Sequence, residues 1–583
     1  MKKKFWFLLT LVFALSMVLA ACADSTSSDG DGEKEGDSDS GEKTEADAGE
    51  PKKGGNVTFA FTQPFQGLLE RGLYEGEDDD LILNFMTDAF VDTNDELEPV
   101  PGMADFEVDE ENNTVTFTIK DGIKWHDGEP LVAEDMAYAY EVIAHPDYEA
   151  SRYANVSMIE GAEAYHNGEA DSISGIEVVD DKTLVLTLTD IAPNTMSNLW
   201  SYPMPKHYYE GIAVKDLPES DEVRKNPIGT GPFKVKNIVP GEMVELEKFA
   251  DYWQGEPYLD GVVYKVIDAS LASGALENGE VDIMAAPSSQ YEEVKALDNV
   301  NIYEEASLGF SYIGFKFGHW DKEEKKNIMD NEKFQNKKLR QAMSYAIDRQ
   351  GILDSFSNGL GELIEAPMPP VSWAKADDSE LTTYDYDPEK AKELLKEAGY
   401  EDTNDDGFVE DPDGNEFTVN FDSMSGSDIS EPRAQYIIQN WQDVGINAKI
   451  NGGLKEFNLF YDVVENDDPS VETFMGAWGL ASDPDPTGLW KEDDLWNYAR
   501  WVNEESDKLI EKGISDKAFD REYRKQVYAD WQKLVNEELP NIFLYAPVDV
   551  YAANKRLQNV HTNSFTSQVD THLWWVKDAD DAE

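Results

Sequence analysis

Polar and apolar residues alternate through Thr114-Val115-Thr116-Phe117-Thr118-Ile119 and again through Thr183-Leu184-Val185-Leu186-Thr187-Leu188-Thr189. Each run predicts a strand with one buried face, and the two suit a shared sheet. A different spacing, with apolar residues three and four apart, predicts helices over Asp135–Ile143, Pro388–Ala398, Pro432–Val444, Ser506–Lys512 and Arg521–Glu537. Several open on acidic residues, which suit the positive end of a helix dipole, and Gly399 suits a C-terminal stop. Strand and helix signals are mixed over about 530 residues with no fixed-period repeat, so two or three α/β domains are expected.

The amino-terminal pattern is of another kind. Lys2, Lys3 and Lys4 precede an apolar run from Phe5 to Ala21, broken only by Thr10 and Ser16 and ending in small residues. This is the layout of an export signal. Leu19-Ala20-Ala21-Cys22 resembles a bacterial lipobox, which implies cleavage after residue 21 and acylation of Cys22; a plain signal peptide or an uncleaved anchor helix are the alternatives. Cys22 is the sole cysteine among 583 residues, so no disulfide can form within the chain and no cysteine-based metal site can exist. Residues 22–53 then read as the lipidated cysteine and a disordered acidic tether of Ser, Asp, Gly and Glu, too poor in apolar surface to offset chain entropy. No later stretch approaches the roughly 18 uninterrupted apolar residues of a membrane span. Asp and Glu number 119 against 49 Lys and Arg, a formal net charge of −70. Such a surface repels phosphate, which makes nucleic acid and anionic lipid poor partners and suits a salty medium.

Motifs of catalysis are missing from the chain. The seven histidines form no zinc-protease pair, no serine sits in a nucleophile elbow, and no glycine-lysine phosphate loop occurs. Gly229-Thr230-Gly231 lacks the third glycine of a dinucleotide loop. Asp121-Gly122-Ile123-Lys124-Trp125-His126-Asp127-Gly128-Glu129-Pro130-Leu131-Val132-Ala133-Glu134-Asp135 resembles instead a signature of the family-5 extracellular solute-binding proteins of ABC transporters, in particular the oligopeptide-binding lipoproteins. Asn226-Pro227-Ile228-Gly229-Thr230-Gly231-Pro232-Phe233 with Tyr252-Trp253, Leu339 through Arg349, Asp387 through Tyr400, and Leu539 through Tyr545 are similar to the same family. The resemblance implies an α/β, two-lobed, periplasmic-binding-protein-like fold of type II with three domains, a hinge and a ligand cleft between lobes. Domain I would comprise residues 54–91, 214–305 and 546–583, domain II residues 92–213, and domain III residues 306–545. His126, beside a tight turn, reads as structural.

The resemblance also implies what the cleft holds. Family members commonly offer a peptide's α-ammonium an aspartate of the second lobe, and the matching region here is Gly476-Ala477-Trp478-Gly479-Leu480-Ala481-Ser482-Asp483-Pro484-Asp485-Pro486-Thr487. Relatives often place that aspartate three residues after the tryptophan, where this chain has Ala481, so Asp483 is the first choice and Asp485 the second, with a turn role for both Asp-Pro pairs as the alternative. Trp478 either lines the cleft or fills core. Asp402, Asn404, Asp406, Glu410 and Asp413 are spaced like the oxygen ligands of a calcium loop with Gly407 at the turn, but position twelve is Asp, not the usual Glu, and a Gly-rich acidic turn competes with a structural calcium. No cofactor is required. The expected protein is a monomer on the outer face of the cell membrane, not an enzyme, with peptide ligands and the membrane subunits of an ABC permease as partners. Other solutes (a dipeptide, a nickel complex, an oligosaccharide, a peptide pheromone) are the alternative ligands, and a secreted hydrolase or chaperone is the alternative class.

Overall fold

The two alternating runs do pair. Thr114–Ile119 and Thr183–Thr187 lie antiparallel with Val115 opposite Leu186 and Phe117 opposite Leu184, and all four of these side chains are fully buried. Ala104–Asp109 and Ile176–Asp180 complete a four-stranded antiparallel sheet, against which the helix Ala133–Ile143 packs Met136, Tyr140 and Ile143. The computed structural model from which these features are drawn describes residues 50–577, residues 428 and 565 apart. The export signal, Cys22 and the tether as far as residue 49 lie outside the described residues.

A second, larger sheet of twelve strands turns on the strand Asn541–Asn554. Its first half pairs antiparallel with Gly309–Phe315, and its second half pairs with Ile283–Ala285 and Val300–Ala306. Ile542, Phe543 and Leu544 belong to the largest apolar core, which gathers residues from Phe310 to Ala546. Ala552 and Ala553 belong to two other cores, built with Phe59, Phe85, Tyr264 and Trp574 in one and Leu276, Val281 and Met284 in the other. One strand thus runs from the core of one lobe into that of its neighbour, with Pro547 at the crossing.

The helices begin where local chemistry can satisfy their free amides. The first of those expected starts at Ala133, two residues before the spacing indicates, because the Asp135 carboxylate reaches back to the Val132 amide at 3.1 Å. Ser430–Asp443 likewise starts two residues early, placing Pro432 in the first turn where its missing N–H costs nothing. Asn503 caps Glu504–Gly513 by accepting from the amides of Glu505 and Ser506 at 3.0 and 3.2 Å. Pro388–Glu397 ends just before Gly399, whose φ of 88° stops the helix as expected. Arg521–Glu538 ends at Leu539, held at φ 51°, and Pro540 follows.

Two of the family-like segments lock each other. The His126 Nδ1 accepts from the Gly229 amide at 3.0 Å, so the proton sits on Nε2, which donates to the Gly231 carbonyl at 3.0 Å. Burial pushes the imidazole pKa down to about 4, against a small opposing pull from the Gly231 hydrogen bond. A Cβ on Gly229 would lie 2.0 Å from the Met86 carbonyl oxygen, and one on Gly231 would lie 2.5 Å from the Met86 carbonyl carbon, so only glycine fits beneath this clamp.

Candidate functional site

The strand Thr473–Gly479 has one side paired and one side open. Along one edge it runs antiparallel to Gly309–Phe315 over its whole length, whereas on the other Thr418–Asp422 pairs only with Thr473 and Phe474. Hydrogen bonds at the two ends, from the Lys316 amide to Glu472 (2.9 Å) and from the Leu480 amide to Leu308 (3.0 Å), fix which residues face the paired side. The even-numbered residues do, so Ala477 and Gly479, both exposed, turn their backbone groups to the open edge. Trp478 between them is half-buried and stacks on Tyr498 with ring centroids 5.3 Å apart. Tyr461 and Phe457 continue this aromatic row, and Phe457 is 58 % exposed.

Just past the strand, the chain meets the other lobe. Asp485 accepts from the Asn194 side-chain amide at 2.7 Å through one oxygen and from the Thr487 amide and hydroxyl through the other. Burial raises its pKa above the ordinary carboxylate value. Asp483 is engaged differently: both its oxygens take Arg524 nitrogens, at 2.7 and 2.6 Å, and the two side chains are 8 % and 5 % exposed. The expected amine anchor is therefore already the anion of a buried ion pair. Close by, Arg521 pairs with Glu98 of the other lobe and lies over the Trp373 ring. A cavity of about 240 Å³ separates these groups, walled by Leu97, Pro193 and Ser197 on one side and by Trp373, Asp483 and Phe519 on the other. Neither Asn194 nor the two arginines stood out in the sequence. Arginines at consecutive helical turns, Arg521 and Arg524, facing an Asp-Pro-Asp-Pro loop were the only available signal.

The acidic loop is closed on itself. Asp402 accepts from the amides of Asp405 and Gly407, Asn404 and Asp406 cap the amides two residues ahead of each, and Glu410 takes the Thr403 amide and hydroxyl and the Asn404 side chain. Asp413 is exposed beyond it. Among the described residues no three His, Cys, Asp or Glu side chains converge on one ion position.

A model of the bacterial extracellular solute-binding proteins, family 5 (middle region), matches residues 98–494, well over half of the chain. The chain belongs to that family. Its relatives include the oligopeptide-binding protein AppA of Bacillus subtilis, 29 % identical over 91 % of this chain and 93 % of that one. Another is the oligopeptide-binding protein OppA of Lactococcus lactis subsp. lactis, 30 % identical over 77 % and 78 %. Among solved structures, lactococcal OppA, complexed with an endogenous peptide in the closed conformation, superposes with a TM-score of 0.76 at 27 % identity, covering 89 % of this chain and 99 % of that one. The two-lobed, periplasmic-binding-protein-like fold is thus shared with this family-5 member. The family is extracellular by its description, and no helix among the described residues is long and apolar enough to cross a membrane.

Proposed function

We propose that this family-5 protein captures oligopeptides between its lobes and presents them to the membrane subunits of an ABC importer, without chemical turnover. The open edge of Thr473–Gly479 carries the reading. An extended peptide needs partners for its backbone N–H and C=O groups whatever its sequence, and Ala477 and Gly479 offer both on an accessible edge. Closure supplies the rest. Contacts such as Asn194 to Asp485 exist only when the lobes approach, so a peptide that fills the gap stabilises the closed state by its excess affinity for it. Reading of the closed surface by a permease then couples capture to transport.

Within the cleft, Asp485 rather than Asp483 is the better receiver of a peptide's ammonium group. Asp483 has its charge answered directly by Arg524, whereas Asp485 takes its hydrogen bonds, among the described residues, from the neutral Asn194 and Thr487, feels Arg524 only at longer range, and keeps a burial-raised pKa. A cation brought beside Asp485 replaces a neutral hydrogen bond with a charge-assisted one. Asp485→Asn should weaken free-amine peptides on the order of tenfold while N-acetylated ones change little; equal losses for both, measured by calorimetry, would remove Asp485 from the role. The sequence supports anchoring through Cys22, so Cys22→Ser should shift the protein from the membrane fraction to the medium. Mass spectrometry of small molecules released when the purified protein is denatured tests the whole reading. Mixed-sequence peptides are expected, and sugars or a metal complex would overturn it.

A further inference from the structure

Apart from the space between lobes, a cavity of about 390 Å³ lies within one lobe. Its walls come from segments within residues 71–103, 232–254 and 563–572 and from Tyr202, and none from the stretch Phe310 to Ala546 that builds the core of the lobe carrying Thr473–Gly479. It shares no wall residue with the cavity at Trp373 and Asp483. Its volume is that of a small-molecule site. One wall residue lacks a partner. His572 is 8 % exposed, yet neither ring nitrogen makes a hydrogen bond to any described residue, and the imidazole lies against Tyr252 in the cavity wall with ring centroids 5.4 Å apart. Burial pushes its pKa below the usual value, against the pull of Asp570, so at neutral pH the ring carries an unshared lone pair and one N–H. A buried polar group left unpaired costs free energy that an occupant of the cavity would restore.

The charge of the walls says what the occupant is. Asp80, Asp88, Asp92 and Asp570 line the cavity against one guanidinium, and that cation is already spent: Arg71 donates to Asp80 at 2.5 Å, to Asn84 at 2.5 Å and to Thr87 at 2.7 Å. Lys120, whose charge reaches Asp92, gives its ammonium to the Pro101 and Gly102 carbonyls at 3.3 and 2.6 Å. Asp88 takes the Trp253 indole N–H at 2.7 Å; burial raises its pKa to about 6, and the charge of Asp92 adds to the rise. Asp92 accepts from the adjacent Thr93 amide, and the Asp570 carboxylate accepts no hydrogen bond from a described residue. These acids do not converge, since among the described residues no three His, Cys, Asp or Glu side chains could hold one metal ion. Carboxylates spread around a cavity that also has Tyr74, Tyr252 and Trp253 in its walls suit a cation whose charges are spread along an apolar chain.

We propose that this cavity is a second binding site, taking a linear organic cation with two or more ammonium groups on an alkyl chain. Asp92 and Asp570 answer its charges, the unshared nitrogen of His572 accepts one of its N–H groups, and the rings of Tyr252 and Trp253 pack its methylenes. Hydrogen bonds from an ammonium to a carboxylate are roughly twice as strong as neutral ones, which suits them to hold a small ligand at a partly open site. Because one lobe supplies every wall, the site exists whether the lobes are open or closed.

Isothermal titration of the purified protein at low ionic strength tests this with 1,4-diaminobutane and spermidine, and with 1,4-butanediol as the uncharged control. Both amines should bind with a stoichiometry of one and the diol should not. Asp92→Asn and Asp570→Asn each replace an exposed carboxylate and should weaken the amines on the order of tenfold. A surface this acidic attracts amines in general, so two further variants separate the site from the surface. Glu505→Gln removes the same charge from the other lobe, in the helix Glu504–Gly513, and should change nothing. His572→Phe leaves the net charge and the ring in place but removes the acceptor, and should weaken binding about fivefold or more. Thermal unfolding without amine shows that each variant is folded, and the amines should raise the wild-type midpoint but not that of Asp570→Asn. Absence of amine binding in the wild type, equal losses in Glu505→Gln and Asp570→Asn, or full affinity in His572→Phe would overturn the assignment.

Discussion

At the scale of single residues, two buried titratable groups set opposite pH limits on stability. Burial holds His126 neutral and pushes its pKa down to about 4, which leaves Nδ1 free to accept from the Gly229 amide. The unfolded chain takes up the proton near pH 6.5, so the contribution of this group is fully present above that pH and is lost as pH falls toward 4, at about 1.4 kcal/mol per unit and about 3 kcal/mol in all. Glu70 behaves in the reverse sense. Burial raises its pKa to about 7 despite the Tyr209 hydroxyl donating to it at 3.0 Å, so the folded protein holds a proton that the unfolded chain releases near pH 4.5. Stability drawn from it declines as pH rises through 7. Urea unfolding across pH should therefore show the advantage of wild type over His126→Gln shrinking by about 3 kcal/mol from pH 7 to 4. Glu70→Gln should gain on wild type by a similar amount, about 3 kcal/mol, between pH 5 and 8. A flat difference in either series would contradict the protonation state assigned to that residue.

At the scale of elements, the open strand edge makes a prediction that separates binding from folding. Ala477 turns its N–H to the side that no strand among the described residues covers, so replacing it by proline removes a donor available to a ligand without breaking the pairing to Gly309–Phe315. Ala477→Pro should lower peptide affinity by tenfold or more, an effect of about 1.4 kcal/mol, while the thermal midpoint moves little. A large fall in the midpoint with affinity preserved would place that N–H inside the fold. The strands and helices themselves were legible in the sequence because alternation and three-to-four spacing report burial directly, as at Val115, Phe117, Tyr140 and Trp531. The site was legible only as a region. Gly476 to Thr487 points to the cleft, but whether Asp483 is free depends on Arg524, some forty residues on, and no local pattern carries that information. Asn194 was illegible for the same reason: what distinguishes it is a partner gained across lobes.

At the scale of the whole molecule, charge dominates. A net charge of −70 repels itself in any compact state, and closure brings two acidic lobes together. The ion pairs visible on the surface, such as Lys508 with Glu504 or Lys225 with Asp221, join exposed side chains and contribute little that salt could remove. Self-repulsion is long-ranged and is screened once the Debye length drops from about 10 Å at 0.1 M to about 3 Å at 1 M. Salt should accordingly raise the unfolding temperature, and small-angle scattering of the ligand-free protein should show a smaller radius of gyration at 1 M than at 0.05 M sodium chloride as the lobes spend more time closed. Binding divides by ligand. A neutral, doubly blocked peptide gains from easier closure and should bind more tightly at high salt, whereas a free peptide also loses attraction at its charged ends and should gain less. If affinity for the blocked peptide fell with salt, repulsion between lobes would not govern closure, and contacts such as Arg521 with Glu98 would have to hold the closed state by their own attraction.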